Sequence, residues 1–268
     1  MEHEELDEEK GWKYEAKKND GRLFPEYPLY CEGFPRPRCR GLLHLWCTCL
    51  FPLGFIHFLE ASNQSTLGAL SSILYLSSNV FCYGISALYH IGKWSPATEI
   101  LIQKLDHCGI AILSTGTMIP VSFLMLPFSS GLILISVTLA CCVWTCYSIF
   151  QLRPSVARQA LTAGILMIFV PQLYFLMTPL EFSAMIGTVI LQVIGMMIFI
   201  NEPNEKNCQT ICCCPAIYGY HEIFHFFVVM AGICVYICNY SIVYRTSNGL
   251  FPVEGTLLRT IVNSIVAS

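Results

Sequence analysis

The sequence predicts an all-α integral membrane protein, a seven-transmembrane helix bundle with its N-terminus inside and its C-terminus outside. Three observations lead there. The 268 residues are 54% hydrophobic and only 12% charged, where soluble domains carry about 25% charge. The apolar residues gather into seven runs, each near the ~20 residues that a helix needs to cross a bilayer. The Lys and Arg residues between those runs alternate by side, which sets orientation. Mean hydropathy is +0.57. The net charge of -3 comes from the acidic start, Glu2 to Glu9, and nothing in the chain suggests nucleic-acid binding.

Met1–Asp20 is acidic and then mixed in charge. It lacks the basic start and apolar centre of a signal peptide, and it reads as a mobile tail. Gly21–Arg40 is rich in Pro and aromatic residues and ends in Arg36, Arg38 and Arg40. Pro25, Pro28, Pro35 and Pro37 exclude a regular helix there. The expected division is a cytosolic tail over residues 1–40, a membrane domain over 41–245 and a short outer tail over 246–268.

The seven runs are Leu42–Leu59, Leu67–Tyr89, Leu105–Pro127, Leu132–Phe150, Ala160–Thr178, Ser183–Ile200 and Tyr220–Tyr244. Backbone polar groups in lipid must be satisfied within the segment, so helix is the expected state. Lys17, Lys18, Arg22, Arg36, Arg38 and Arg40 precede the first run. Lys93, Lys104, Arg153, Arg158 and Lys206 follow on the same side. The opposite connectors, Glu60–Thr66, Phe128–Gly131 and Pro179–Phe182, carry no Lys or Arg. Asn63-Gln64-Ser65 is a glycosylation sequon on the outer side, too close to the membrane to expect modification.

Fifteen cysteines do not make a disulfide framework, because most lie inside apolar runs, where they read as small packing residues. Others fall on the inner, reducing side. Cys208, Cys212, Cys213 and Cys214 form a tighter cluster, open to S-palmitoylation, to zinc or to no role. Pro171 predicts a kink in the fifth run. Gln172 and Gln192 read as helix–helix hydrogen-bonding residues.

His221 and His225 lie four apart at the start of the last run, so both imidazoles share one helix face. The second run heads inward and ends at His90, and the third starts inside with Asp106. All four residues therefore converge at the inner membrane face, where ionisable groups mark function. Three imidazoles plus a water are the open tetrahedral set of a catalytic zinc. Asp106 is placed to bind that water or act as base. Ser86, four before His90, shares its face and can hydrogen-bond the water or a substrate. His44 and His57 read as single histidines with interface hydration or core bonding. His107 points about 100° from Asp106 and stays outside the set.

Ser86-Ala-Leu-Tyr-His90, Leu105-Asp106-His107-x-Gly109-Ile110, Gly116-Thr117-x-x-Pro120 and His221-x-x-x-His225 resemble, in order and spacing, the motifs of the progestin and adipoQ receptor family. The nearer likeness is to its hemolysin III branch, where Pro37-Arg38-Cys39-Arg40-Gly41-Leu42-Leu43-His44 also resembles the approach to the first helix. The likeness runs from about Arg36 to Tyr244. It implies a seven-helix bundle with Zn2+ near the inner leaflet, held by His90, His221 and His225. It also implies that Asp106 holds a water and that Ser86 lies beside the metal. The wider superfamily includes alkaline ceramidases, which implies hydrolysis of lipid amides. His221-Glu222-x-x-His225 also matches the zincin signature with Glu222 as base, but no third ligand of that class is evident.

The expected function is zinc-dependent, ceramidase-like hydrolysis of lipid amides, or membrane-lipid homeostasis. A ligand-sensing receptor with a structural zinc and a hemolysin-like membrane protein without turnover are the other readings. The expected partner is a membrane lipid, ceramide-like or a steroid or fatty-acid ligand. The expected location is a plasma membrane or endomembrane.

Overall fold

The computed structural model describes residues 37–151, 171–200 and 217–250, and within them the chain is all-helical. Six helices are long and apolar enough to cross a membrane. They are α1 (Leu42–Ala61), α2 (Thr66–Ile91), α3 (Pro96–Pro120, with a π-turn at Val121–Met125), α4 (Phe128–Gln151), α5 (Pro179–Ile200) and α6 (Tyr220–Ser247). The fifth apolar run, Ala160–Thr178, falls largely outside the described residues, of which 171–176 are helical. Residues 1–36, 201–216 and 251–268 lie outside them too, and with them the cluster Cys208 to Cys214.

Helix starts follow local chemistry. At α2, the Ser65 hydroxyl accepts from the Gly68 N–H at 3.1 Å. At α3, Ser95 is the N-cap, with Pro in the first turn, a position where its missing N–H costs nothing. This cap starts α3 well before Leu105, the expected start. Glu99, Gln103 and Lys104 dilute the hydropathy of that stretch but do not oppose helix, so Asp106 lies ~3 turns into α3 rather than in its first turn. At the far end, Pro120 has no N–H to donate, and the helix widens into the π-turn, closed by the Leu126 N–H on the Val121 carbonyl at 3.0 Å. At α5, the Glu181 carboxylate accepts from the Thr178 N–H at 2.8 Å while the Glu181 N–H reaches Thr178 Oγ1 at 3.3 Å, a reciprocal capping box.

Neighbours run antiparallel along α1–α2–α3–α4, and α5 lies antiparallel to α6. α6 returns beside α1 in the same direction: His44 meets His225 near one end, and Asn248 bonds the Ala61 carbonyl at the other. The α2–α3 seam is close. A Cβ at Gly109 would lie 3.2 Å from the Cys82 backbone, and one at Gly116 would collide with Ser78. Ser72 and Ser78 send their hydroxyls back to carbonyls of their own helix, so these two hydroxyls are satisfied within α2. Lipid is as apolar as leucine, so small residues and packing, rather than water exclusion, hold such a seam.

The bundle has two unlike halves. One holds an apolar cluster that includes Phe58, Tyr75, Leu76, Leu134, Ile242 and Val243. The other, where α1 and α6 begin and α2 ends, holds the buried histidines. Outward-facing Trp46, Leu53, Val143, Trp144 and Phe175 are exposed, as expected of surfaces that meet lipid tails.

Candidate metal centre

Three histidines meet at one point, His90 and His225 buried and His221 half-buried. His90 closes α2, and His221 and His225 share one face of the first turns of α6. Their candidate ligand nitrogens all lie within 4.8 Å of one another, and the group could hold a metal ion. His90 Nε2 and His221 Nε2 are 3.2 Å apart. The ring centroids are separated by 4.7 Å (His90–His221), 4.9 Å (His90–His225) and 4.5 Å (His221–His225). Two nitrogens bound tetrahedrally at ~2.0–2.1 Å stand about 3.3 Å apart, so the closest pair already has the spacing of two ligands of one ion. Imidazole donors suit zinc and its neighbours in the first transition row rather than calcium or magnesium. The donor set and its spacing fit such an ion.

A carboxylate, Asp106, stands beside the group. Its Oδ2 lies 4.0 Å from His90 Nε2, and the side chain is 16% exposed. The Ser86 side chain lies beside the Asp106 carboxylate. Ser86 and His90 are both buried. The structure thus brings together the five residues singled out from the sequence. His107 turns back on its own helix, with Nδ1 2.8 Å from the Gln103 carbonyl, and stays outside the site.

Glu222 has other work. Its Oε2 accepts from the Gly219 N–H at 2.7 Å, capping α6. Its Oε1 lies 2.9 Å from Arg40 Nε, and Glu222 is only 1% exposed. Those two atoms do not meet hydrogen-bond geometry despite the distance, so the contact is a charge pair rather than an aligned bond. A carboxylate committed to a cap and a cation is poorly placed to be the base of a zincin.

The lead-in to α1 closes this end of the bundle. The Cys39 N–H donates to the Ile217 carbonyl at 3.0 Å. Gly41 has φ +78, and a Cβ there would lie 2.9 Å from His90 Cβ. His44 stacks on His225, with centroids 4.0 Å apart and planes 12° from parallel. Arg40 and His44 thus belong to the site's surroundings, which sequence reasoning missed for His44. The only signal was its place in the Pro37-to-His44 stretch. His57 lies elsewhere, with Nδ1 2.9 Å from the Tyr236 hydroxyl.

Among families of known proteins, the family model described as Haemolysin-III related matches residues 33–236. The match takes in the lead-in to α1, Ser86, Asp106 and all three histidines of the centre.

Proposed function

The chain belongs to the haemolysin-III related family, whose members are integral membrane proteins, and on that footing we propose that it is a zinc-dependent hydrolase of membrane-lipid amides. The observation that supports this reading most is a carboxylate beside, but not among, three converging imidazoles: Asp106 Oδ2 stands 4.0 Å from His90 Nε2. Three protein nitrogens leave one position of a tetrahedral ion open. When bound there, zinc supplies Lewis acidity and lowers the pKa of a coordinated water toward neutrality.

This chain's own residues do the rest. His90, His221 and His225 would hold the ion as neutral donors. Asp106 orients the attacking water and takes its proton at Oδ2. Ser86 fixes the Asp106 carboxylate by donating its hydroxyl hydrogen, so the carboxylate's free lone pairs point where they are used. The proposal carries the full architecture with it: seven spans, N-terminus inside and C-terminus outside, with the membrane domain over 41–245.

Asp106→Asn tests the mechanism, because amide and carboxylate share a shape but only the carboxylate accepts the water's proton. The variant is expected to keep its zinc and lose hydrolysis of a ceramide-type amide by ~10²-fold or more. Lost zinc would make Asp106 a fourth ligand. Full turnover would remove it from the mechanism. Wild-type protein with zinc and no turnover would favour a receptor whose ion ties α2 to α6.

A further inference from the structure

A metal at the centre and the lead-in to α1 would bridge the same gap. The three imidazoles would tie the end of α2, through His90, to the start of α6, through His221 and His225. Residues 37–41 lie across those same two elements. On the α2 side, Gly41 packs against His90 and Ile91: a Cβ there would stand 2.9 Å from His90 Cβ and 2.9 Å from Ile91 Cγ1. On the α6 side, Arg40 Nε lies 2.9 Å from Glu222 Oε1, and the Cys39 N–H donates to the Ile217 carbonyl at 3.0 Å. Glu222 adjoins His221 in sequence, and Ile217 lies four residues before it. These contacts therefore land on a candidate ligand or within one turn of one.

The segment is held as a strap. Pro37 and Gly41 are buried. The Arg40 and Leu42 N–H groups close turns on the Pro37 and Cys39 carbonyls at 3.2 and 3.1 Å. Arg40 and Glu222 side chains are 11% and 1% exposed, so salt screens their pairing much less than that of surface charges. His44, in the first turn of α1, meets His225 by its face, with planes 12° apart and centroids at 4.0 Å. Neither of its ring nitrogens has a hydrogen-bond partner among the described residues. The polar fixing of the strap on α6 thus falls to Arg40 and Cys39.

Two bridges over one gap help each other. With an ion in place, the ends of α2 and α6 are held at one separation, and the strap finds both landing sites together. With the strap in place, the imidazoles are already gathered, and the ion has less ordering to impose. Linkage makes the effect equal in both directions. We propose that metal occupancy and the docking of residues 37–41 are coupled, with Arg40 as the positioning residue that acts on the α6 ligands through Glu222. The lead-in to the membrane domain then reads the state of the metal centre: filling the site seals the strap to the bundle, and losing the ion releases it. This rests on the zinc centre of the reading above and not on hydrolysis.

Hydrogen exchange resolved by mass spectrometry tests the coupling on full-length protein in nanodiscs, with zinc removed by a chelator and then restored. Zinc should slow exchange in the peptide that holds Cys39, Arg40 and Leu42 about fivefold or more, the lower end of a typical coupling. The turn after α6, where the Asn248 and Leu250 N–H groups bond the Tyr244 and Arg245 carbonyls, is the internal reference and should change little. His221→Ala should abolish the response of residues 37–41 to zinc. By reciprocity, Arg40→Gln should weaken zinc binding, titrated against a competing chelator, about fivefold or more. Arg40→Lys keeps the charge and should recover part of that loss. The exchange measurement on wild type decides even if Arg40→Gln does not fold. Equal slowing at both ends of the bundle would mean that zinc stabilises the whole molecule, and it overturns the coupling. Zinc bound with no change in residues 37–41, or zinc affinity unaltered by Arg40→Gln, overturns it too while leaving the metal centre in place. Wild type that binds no zinc would end the metal centre itself, and the coupling with it.

Discussion

At the residue scale, the centre asks different things of residues that look alike. His90, His221 and His225 are expected to act as one unit. His221→Ala should reduce zinc from about one per chain to near zero, and equal zinc in wild type and in the triple alanine variant, measured by elemental analysis, would refute the site. Gly41 supports His90 from behind. Its left-handed backbone, φ +78, costs an L-residue about 1–2 kcal/mol, and the added methyl would press on His90. Gly41→Ala should therefore lower both thermal stability and zinc affinity. Glu222→Gln should retain zinc and keep turnover within a few-fold, because its carboxylate caps α6 and faces Arg40. Loss of turnover with zinc intact would return the base role to Glu222.

At the element scale, α5 and α6 are joined far from the site by a buried ion pair. Glu181, fully buried on α5, accepts from Arg245 Nε at 2.9 Å and Nη2 at 2.8 Å, and from Ser241 Oγ at 2.6 Å, all on α6. Arg245 also donates to the Leu176 carbonyl at 3.3 Å. Removing one partner of such a pair leaves the other charge buried, at a cost of about 3–5 kcal/mol, whereas removing both is often near neutral. Glu181→Ala is expected to destabilise the protein by that order. Glu181→Met combined with Arg245→Leu should recover most of the loss. Thermal unfolding followed by tryptophan fluorescence checks both, and a double variant no better than the single one would mean the pair is not coupled. The capping box Thr178-Pro-Leu-Glu181 is a local feature of the chain, whereas the partner across the bundle is set by packing. Likewise, Ser95-Pro96 signals the true start of α3, while a hydropathy criterion places it at Leu105.

At the scale of the whole molecule, the proposed seven spans put the two termini on opposite sides of the membrane. Epitope tags at Met1 and Ser268, read in intact and permeabilised cells, should become accessible under different conditions. Both tags on one side would require an even number of spans. Asn63, the sequon asparagine, donates to Asn248 Oδ1 at 2.9 Å at the end of the bundle opposite the histidines. Its amide is engaged by the turn after α6, so mobility on gels should not change on deglycosylation, and a shift would show that this contact opens.

Much of the architecture was legible because lipid imposes a simple requirement: every buried backbone group must be bonded within its own segment, so length and apolarity name the helices. The i, i+4 pair His221 and His225 was legible for a similar reason, since helical periodicity alone puts both on one face. That His90 and Asp106 lie at the same end of the bundle as His221 and His225 was legible from the alternation of the run ends. What needed the tertiary structure were contacts between side chains far apart in sequence. The same pattern that reads Glu222 as a zincin base also fits a helix cap, and it is the tertiary approach of Arg40 from the lead-in to α1 that favours the cap. His44 reads as an isolated histidine until α1 is laid beside α6, because stacking and unmet nitrogens are properties of a neighbourhood. Periodicity along the chain fixes which way a side chain points; which groups meet there depends on how the helices pack, and that is decided by small residues such as Gly41, Gly109 and Gly116, whose role is the room they leave for others.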